Sequence, residues 1–363
     1  MAKNYLQKSL IKNINPTNLA VCKDADSFLQ SAMWGEFKSR FGWQAKAFNL
    51  ELNTGIANSL LVLSRRLAPG FSFAYVPWGP ELPQDFPANH KAQVLKELAI
   101  KLKSFLARNT TFIRFDPPWN TESLEAELVS AGFRRAAADV QPPDTVIVNL
   151  EAPCEEILAG MKPKWRYNVS LAGKKGVQVK EADVQDIPVF YSLLQETAAR
   201  DGIAVHSIDY YKTLFEICGE QSKNSDGAVV HLYTAVHEGD TLAAIIVLLR
   251  GKYATYLYGA SSNVKRNLMA VYALQWKAMQ DAKEAGCLYY DLFGIPPDDN
   301  PSHPMAGLYR FKTGFGGLII HRLGSWDFSY RPAIYILFNI AEALRKKLRD
   351  RKKRIATNPR STV

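Results

Sequence analysis

The segment Tyr253–Gly317 constrains the fold more than any other part of the chain. It reads YATYLYGASSN, then NLMAVYALQWKAMQDAKEAG, then CLYYDLFGIPP and finally GLYRFKTGFGG. A period-two run, a helical period held for about five turns and a second period-two run make it strand, helix, strand. The second strand carries one acid, Asp291, and the glycine-punctuated segment after it holds one lysine, Lys312. An upstream stretch repeats the plan more weakly: FSFAYVPWGPEL, the helical NHKAQVLKELAIKLKSFLARN, TFIRFDPPW, and later the AGF at Ala131–Phe133. Each copy pairs a strand acid, Asp116 or Asp291, with a later small-Gly-Phe element. The expected architecture is one αβ fold used twice.

A chain of 363 residues has room for two domains with proper cores. No window approaches the roughly 20 apolar residues of a membrane-spanning helix. The late apolar run PAIYILFNIAEAL has Ile334, Leu337, Phe338, Ala341, Leu344 and Leu348 at amphipathic spacing, which predicts a helix at 328–350 packed back on one of the domains. MAKNYLQKSLIKN lacks the continuous apolar core of a secretory signal. Cys22, Cys154, Cys218 and Cys287 are scattered, as expected of reduced thiols in a cytoplasmic protein. Net charge is +10, and +7 of it lies in RKKLRDRKKR, Arg345 to Arg354. This basic tail (345–363) reads as a solvated end, an arm for RNA phosphates, or an arm for an anionic inner membrane face; charge alone does not choose.

The first domain is expected over residues 1–150, with an early helix near Asp26–Phe41 and strands at Trp43–Asn49 and Ser59–Arg65. AAADVQPPDTVIVNLEAPCEEI reads as a crossing between domains, because Pro142, Pro143 and Pro153 lack the amide donor that a central strand needs. The second domain is expected over 151–320. It contains the paired strands VVHLYTAVHEGDTLAAIIVLLRG, with the hairpin turn expected at Gly239-Asp240. Strand, helix, antiparallel strands, helix, strand is the order of a small acyltransferase domain, so the fold class is α/β (α+β): two tandem acyltransferase-like (GNAT-type) domains with mixed, mostly antiparallel sheets flanked by helices.

G-x-S-x-G, H-E-x-x-H, P-loop and G-x-G-x-x-G signatures are all missing, and the six histidines are dispersed, so no metal and no dinucleotide is expected. Acyltransferase domains that use acetyl-CoA cradle its pyrophosphate on a glycine-rich turn opening a helix. Here that helix opens with KRNLMA, where Leu268 and Met269 stand in place of glycine. A different acyl donor is indicated.

TAARDGIAVHSIDYYKTLF, KWRYNVSLAGKKGVQV, the Tyr256-to-Phe293 block and GLYRFKTGFGG together resemble the FemABX aminoacyltransferases. The likeness is best from about Pro163 to Gly317, and the lack of a long heptad run matches the compact members without a coiled-coil arm. The resemblance implies transfer of an amino acid from aminoacyl-tRNA to the side-chain amine of a peptidoglycan stem peptide, with no cofactor beyond that co-substrate. It implies that Lys38 and Arg200 bind the diphosphate of a UDP-linked or lipid-linked precursor, which suits two cations, one a bidentate fork. Lys312 would stabilise the tetrahedral oxyanion. Asp116 would accept the amine proton, unless it only caps a turn. Tyr256 and Tyr258 stand two apart, so they are expected on one side of their strand, lining the stem-peptide channel with Trp78. Lys164, Arg166, Lys174 and Lys175 form a basic helix that would meet the tRNA acceptor stem, or else a solvated face. A monomer is expected. Two rival readings are an N-acyltransferase with a CoA or carrier-protein donor acting on another amine, and a non-catalytic RNA- or membrane-binding module.

Overall fold

The computed structural model describes residues 9–83, 85–119, 124–221 and 227–357. The chain forms two compact units. Unit 1 takes Met1–Asn18, Trp43–Gln141 and Leu323–Val363; unit 2 takes Leu19–Gly42 and Pro142–Arg322. The boundary expected at residue 150 is therefore corrected twice. Residues 19–42 leave the first unit, and the crossing lies at Gln141/Pro142. The physical reason is a contact distant in sequence: buried Arg250 of unit 2 donates to the carbonyls of Lys23 (2.6 Å) and Ala25, tying the early segment down.

Among the described residues, unit 1 holds a seven-stranded sheet. Its strands are β1 (Ile11–Thr17), β2 (Gln44–Leu52), β3 (Ala57–Ala68), β4 (Phe71–Val76), β5 (Thr110–Phe115), β6 (Arg134–Arg135) and, from far along the chain, β14 (Trp326–Ser329). Spatial order is β1-β2-β3-β4-β5-β14-β6, antiparallel except for the parallel pair β4/β5. Unit 2 uses β7 (Asp144–Asn149), β8 (Gln178–Ala182), β9 (Val229–His237), β10 (Asp240–Arg250), β11 (Tyr253–Ser261), β12 (Tyr289–Asp291) and β13 (Leu318–His321). Their order is β13-β7-β12-β11-β10-β9-β8, antiparallel except for β11/β12. The two sheets thus share one plan: four antiparallel strands side by side in chain order, with helices between the first two, a parallel partner reached over a helix, then a strand drawn from a distant part of the chain.

The crossover helices explain the duplication in the sequence. In unit 1 α2 (Ala88–Leu102) buries Val94, Leu95, Leu98, Ala99 and Leu102 at helical spacing, and in unit 2 α8 (Ala270–Glu284) does so with Leu274, Ala278, Met279 and Ala282. The remaining helices are α1 (Ala32–Ser39), α3 (Leu124–Ser130), α4 (Cys154–Gly160), α5 (Pro163–Lys174), α6 (Ile187–Asp201), α7 (Ile208–Gln221), α9 (Ala306–Thr313) and α10 (Pro332–Thr357). The β9–β10 turn is Glu238-Gly239, one residue earlier than expected, with φ of 50° and 84°. Two successive left-handed residues match the twist of the flanking strands.

Helix α10 packs on unit 1 through Tyr335 and Phe338, whose rings meet Phe112 at 5.2 and 5.4 Å. Leu337 and Leu344, which the spacing assigned to the packing face, are 66% and 56% exposed. The tail residues 358–363 lie outside the described residues.

Strand β14 is held by more than its ladder. Arg114 on β5 makes a fork to buried Asp327 at 2.7 and 2.8 Å, and the Tyr335 hydroxyl donates to the same carboxylate at 2.9 Å. Removing one partner of such a pair strands a buried charge, at about 3–5 kcal/mol. Asp327→Ala should lower the unfolding free energy by that amount in urea titration. A loss under about 1 kcal/mol would show that backbone pairing alone holds β14.

Candidate active site

The chemistry in unit 2 starts at the end of β12. Asp291 accepts from the Phe293 amide at 2.8 Å and from the Thr145 hydroxyl, closing a tight turn beyond the strand. That turn holds Phe293 at φ 58°, a left-handed conformation costing a residue with a side chain roughly 1–2 kcal/mol. The carbonyls of Phe293 and Gly294 consequently face α9, where Lys312 Nζ donates to them at 3.2 and 2.9 Å. The ammonium also lies 5.1 Å from the centre of the Tyr256 ring. Lys312 is only 6% exposed. Burial drives its pKa down to about 7, against a smaller upward pull from Asp291. With two donors used, the third N–H has no partner among the described residues.

The position of α9 follows from tryptophan packing. Trp165 on α5 donates its indole N–H to the Phe311 carbonyl at 2.9 Å. Its ring fills the space that a Cβ at Gly314 would occupy. The W-R and K-T-G segments of the sequence are thus two halves of one contact.

Strand β11 organises the rest, with a correction to the expected tyrosine pair. Tyr258 lies opposite Ile246 and Tyr256 opposite Val247, with Leu257 bulged between them. Adjacent partners point to opposite faces, so the bulge turns Tyr256 and Tyr258 apart although they stand two apart in sequence. Tyr256 faces α8, where buried Gln275 sits beside its hydroxyl; burial raises that hydroxyl's pKa to about 12. Tyr258 instead meets the rings of Tyr211 and Tyr210 on α7, at 5.1 and 6.4 Å.

Lys38 belongs to this unit. Its ammonium lies 5.3 Å from the ring of Trp34, 5.5 Å from Tyr210 and 6.0 Å from Phe37. His206 stacks on Tyr210 at 3.8 Å, and burial followed by repulsion from Lys38 lowers the imidazole pKa. An aromatic path connects the two lysines. Trp34 meets Phe28 at 5.3 Å, Phe28 meets Phe293 at 6.3 Å, and Phe293 carries the carbonyl that holds Lys312.

Arg200, at the last turn of α6, bonds Asp201 (3.0 Å), the Ser261 carbonyl (3.0 Å) and Asn263 (3.0 Å), pinning α6 to the end of β11. Asp116 and Trp78 lie in unit 1. Asp116 is 3% exposed and accepts from the Tyr75 and Ser325 hydroxyls and from the Gln141 amide at 3.2 Å. Burial still lifts its pKa to about 6, those bonds pulling the other way. Trp78 is buried with φ 39°. Arg166 donates to the carbonyls of Ala159 (3.0 Å) and Met161 at the end of α4, whereas Lys164, Lys174 and Lys175 are exposed along α5. At the opening of α8, Lys265 (φ 49°) and Met269 (φ 57°) adopt left-handed backbone, and the Lys265 ammonium pairs with Glu238 and Asp240, both at 2.9 Å.

Residues 20–131, 130–224 and 229–343 match the FemAB family. The chain belongs to the FemAB family. The Lipid II:glycine glycyltransferase of Staphylococcus saprophyticus is 23% identical over 387 residues, spanning 88% of this chain and 92% of its own length. That of Staphylococcus aureus is 21% identical over 381 residues, spanning 85% and 89%. The crystal structure of FemX superposes with a TM-score of 0.75 at 20% identity, over 89% of this chain and 97% of that one. A tandem GNAT protein from the clavulanic acid pathway reaches 0.50 at 12% identity, over 87% and 98%. The fold is accordingly a pair of GNAT-type units.

Two residues that support this site were not expected from the sequence. Gln275 sits mid-helix, where an amide looks like surface. Gly259 did carry a signal, since glycine inside a strand often marks a close approach. A Cβ there would lie 2.6 Å from Cζ of Tyr256 and nearer still to its hydroxyl. Gly259→Ala should therefore destabilise the protein by about 1–3 kcal/mol through overpacking. Combined with Tyr256→Ala, the losses should fall short of additivity by about 1 kcal/mol or more in a double-mutant denaturation cycle. Additive losses would show that Tyr256 does not use the space.

Proposed function

We propose that this protein transfers an amino acid from aminoacyl-tRNA to the amine of a peptidoglycan precursor's stem peptide, building an interpeptide bridge. Its curated relatives are named for glycyl transfer to lipid II, and a lipid-linked precursor is the acceptor in this reading. The observation that carries the chemistry is the buried Lys312 ammonium, held by two carbonyls and one ring, with a donor left over.

In this mechanism the precursor's amine nitrogen attacks the aminoacyl ester carbonyl. The π pair moves to oxygen, and the unpartnered N–H of Lys312 meets the oxyanion. Collapse forms the amide, breaks the ester C–O bond and returns the amine's proton to the departing tRNA ribose oxygen. Lys38, in its aromatic surround, meets the precursor's diphosphate. Arg200 reaches that diphosphate only by exchanging its bonds to Asp201. Asp116, with three donors already on its carboxylate, is given no proton-transfer step. The exposed lysines of α5, with Tyr167 (64% exposed) among them, meet the tRNA acceptor stem through its phosphates.

The decisive experiment supplies the protein with mixed charged tRNA and a lipid-linked or UDP-linked pentapeptide, with acetyl-CoA as rival donor. RNase-sensitive label on the precursor is expected. Incorporation from acetyl-CoA alone would overturn the tRNA donor. Lys312→Met should lower kcat by roughly 100-fold with precursor affinity nearly unchanged. The charged form of Lys312 exists below its pKa, so kcat should fall as pH rises through about 7. Lys312→Arg, charged throughout, should lack that limb. A limb rising through the same range in the unaltered protein would make the neutral amine a base instead.

Lys164→Glu with Lys174→Glu should weaken tRNA binding and flatten the plot of log Kd against log salt by about 2, one per lost phosphate contact. An unchanged slope would move the acceptor stem off α5.

A further inference from the structure

Helix α10 carries more apolar surface than unit 1 covers. One side, Tyr335 with Phe338, packs on Phe112 and Phe71. On another side Ile336, Leu337, Ile340 and Leu344 are 46, 66, 53 and 56% exposed, with Ala333 and Ala343 exposed beside them. Residues 333, 336, 337, 340, 343 and 344 recur at three- and four-residue steps, so they form one stripe along the helix. Four large aliphatic side chains together, rather than singly, mark an interaction surface.

We propose that this stripe, with the basic run on the same helix, seats the protein on an anionic phospholipid bilayer. The helix continues through Thr357, and its sequence from Arg345 to Arg354 holds eight basic residues and one acid. An apolar stripe joined to concentrated positive charge is the pattern of a helix lying in the bilayer interface, its apolar face sunk to the acyl boundary and its cations among anionic headgroups. RNA offers phosphates to the basic run but nothing apolar to the stripe. A second copy of the chain would bring two such runs together and repel. A bilayer alone satisfies both halves. The proposal extends the lipid-linked acceptor of the preceding reading, because a protein lying on the bilayer meets that acceptor in its own plane.

The test needs neither donor nor acceptor, so its failure is separable from failure of the transfer reading. The full chain is floated with vesicles of phosphatidylglycerol and phosphatidylcholine in equal amounts, and with phosphatidylcholine alone. Binding to the anionic vesicles is expected, far above that to the neutral ones. Leu337→Glu with Ile340→Glu should reduce it by about tenfold or more, with the melting temperature unchanged. Ile336→Glu with Leu344→Glu repeats the test should the first pair misfold. No vesicle binding by the unaltered protein, or equal binding by the variants, overturns the proposal. So does a dimer that the variants dissociate, or loss of tRNA binding with vesicle binding intact.

Discussion

A buried ammonium is tolerated only where fixed dipoles replace the water it has lost, and that requirement shapes unit 2 around Lys312. The carbonyls of Phe293 and Gly294 can reach Nζ because Asp291 bends the chain past β12 into a left-handed residue. The Tyr256 ring can lie against the ammonium because Gly259 has no Cβ and a bulge turns Tyr256 away from Tyr258. Helix α9 is held in place by Trp165 against Gly314. Each of these features is strained or tightly fitted in isolation. Together they hold a buried ammonium with one N–H not engaged by a carbonyl among the described residues, a fixed group of the kind that needs no rearrangement when charge develops.

The paired strand acids have a common physical explanation. Asp116 and Asp291 sit at the ends of the two strands that run parallel to a preceding one, and each is hydrogen-bonded to a residue near the crossing at Gln141/Pro142. Asp116 accepts from the Gln141 amide, and Asp291 from the Thr145 hydroxyl. Within its own unit, each carboxylate fastens the segment by which the chain leaves or enters. The likeness between the two copies is therefore a likeness of folding, since only the acid of unit 2 also builds a lysine cradle.

Much of the fold was legible because its signals are local. Helical spacing in α2 and α8, period-two alternation in their flanking strands, and the small-residue turns are short-range properties that survive without tertiary context. Lys312 stood out for the same reason, as a single lysine in a glycine-punctuated stretch. What could not be read depends on contacts distant in sequence. The exit of residues 19–42 from unit 1 rests on Arg250, some 225 positions away. Arg200 and Arg166 resemble free cations until the carbonyls they hold come into view. The facing of Tyr256 and Tyr258 depends on one bulged residue, and a single extra residue inverts every later inference from period-two counting.

The order of amino acids alone specifies one αβ plan used twice, a second copy that carries the candidate chemistry, and a last helix that is amphipathic with a basic end. These follow from periodicity and from the residue types that given backbone geometries require. Which strand completes each sheet, which cations are already committed, and which part of the last helix remains uncovered are settled by the packed fold. Those outcomes turn on the summed packing of surfaces far apart in the chain, and a burial pattern along one helix does not record how much of its apolar arc a neighbour will cover.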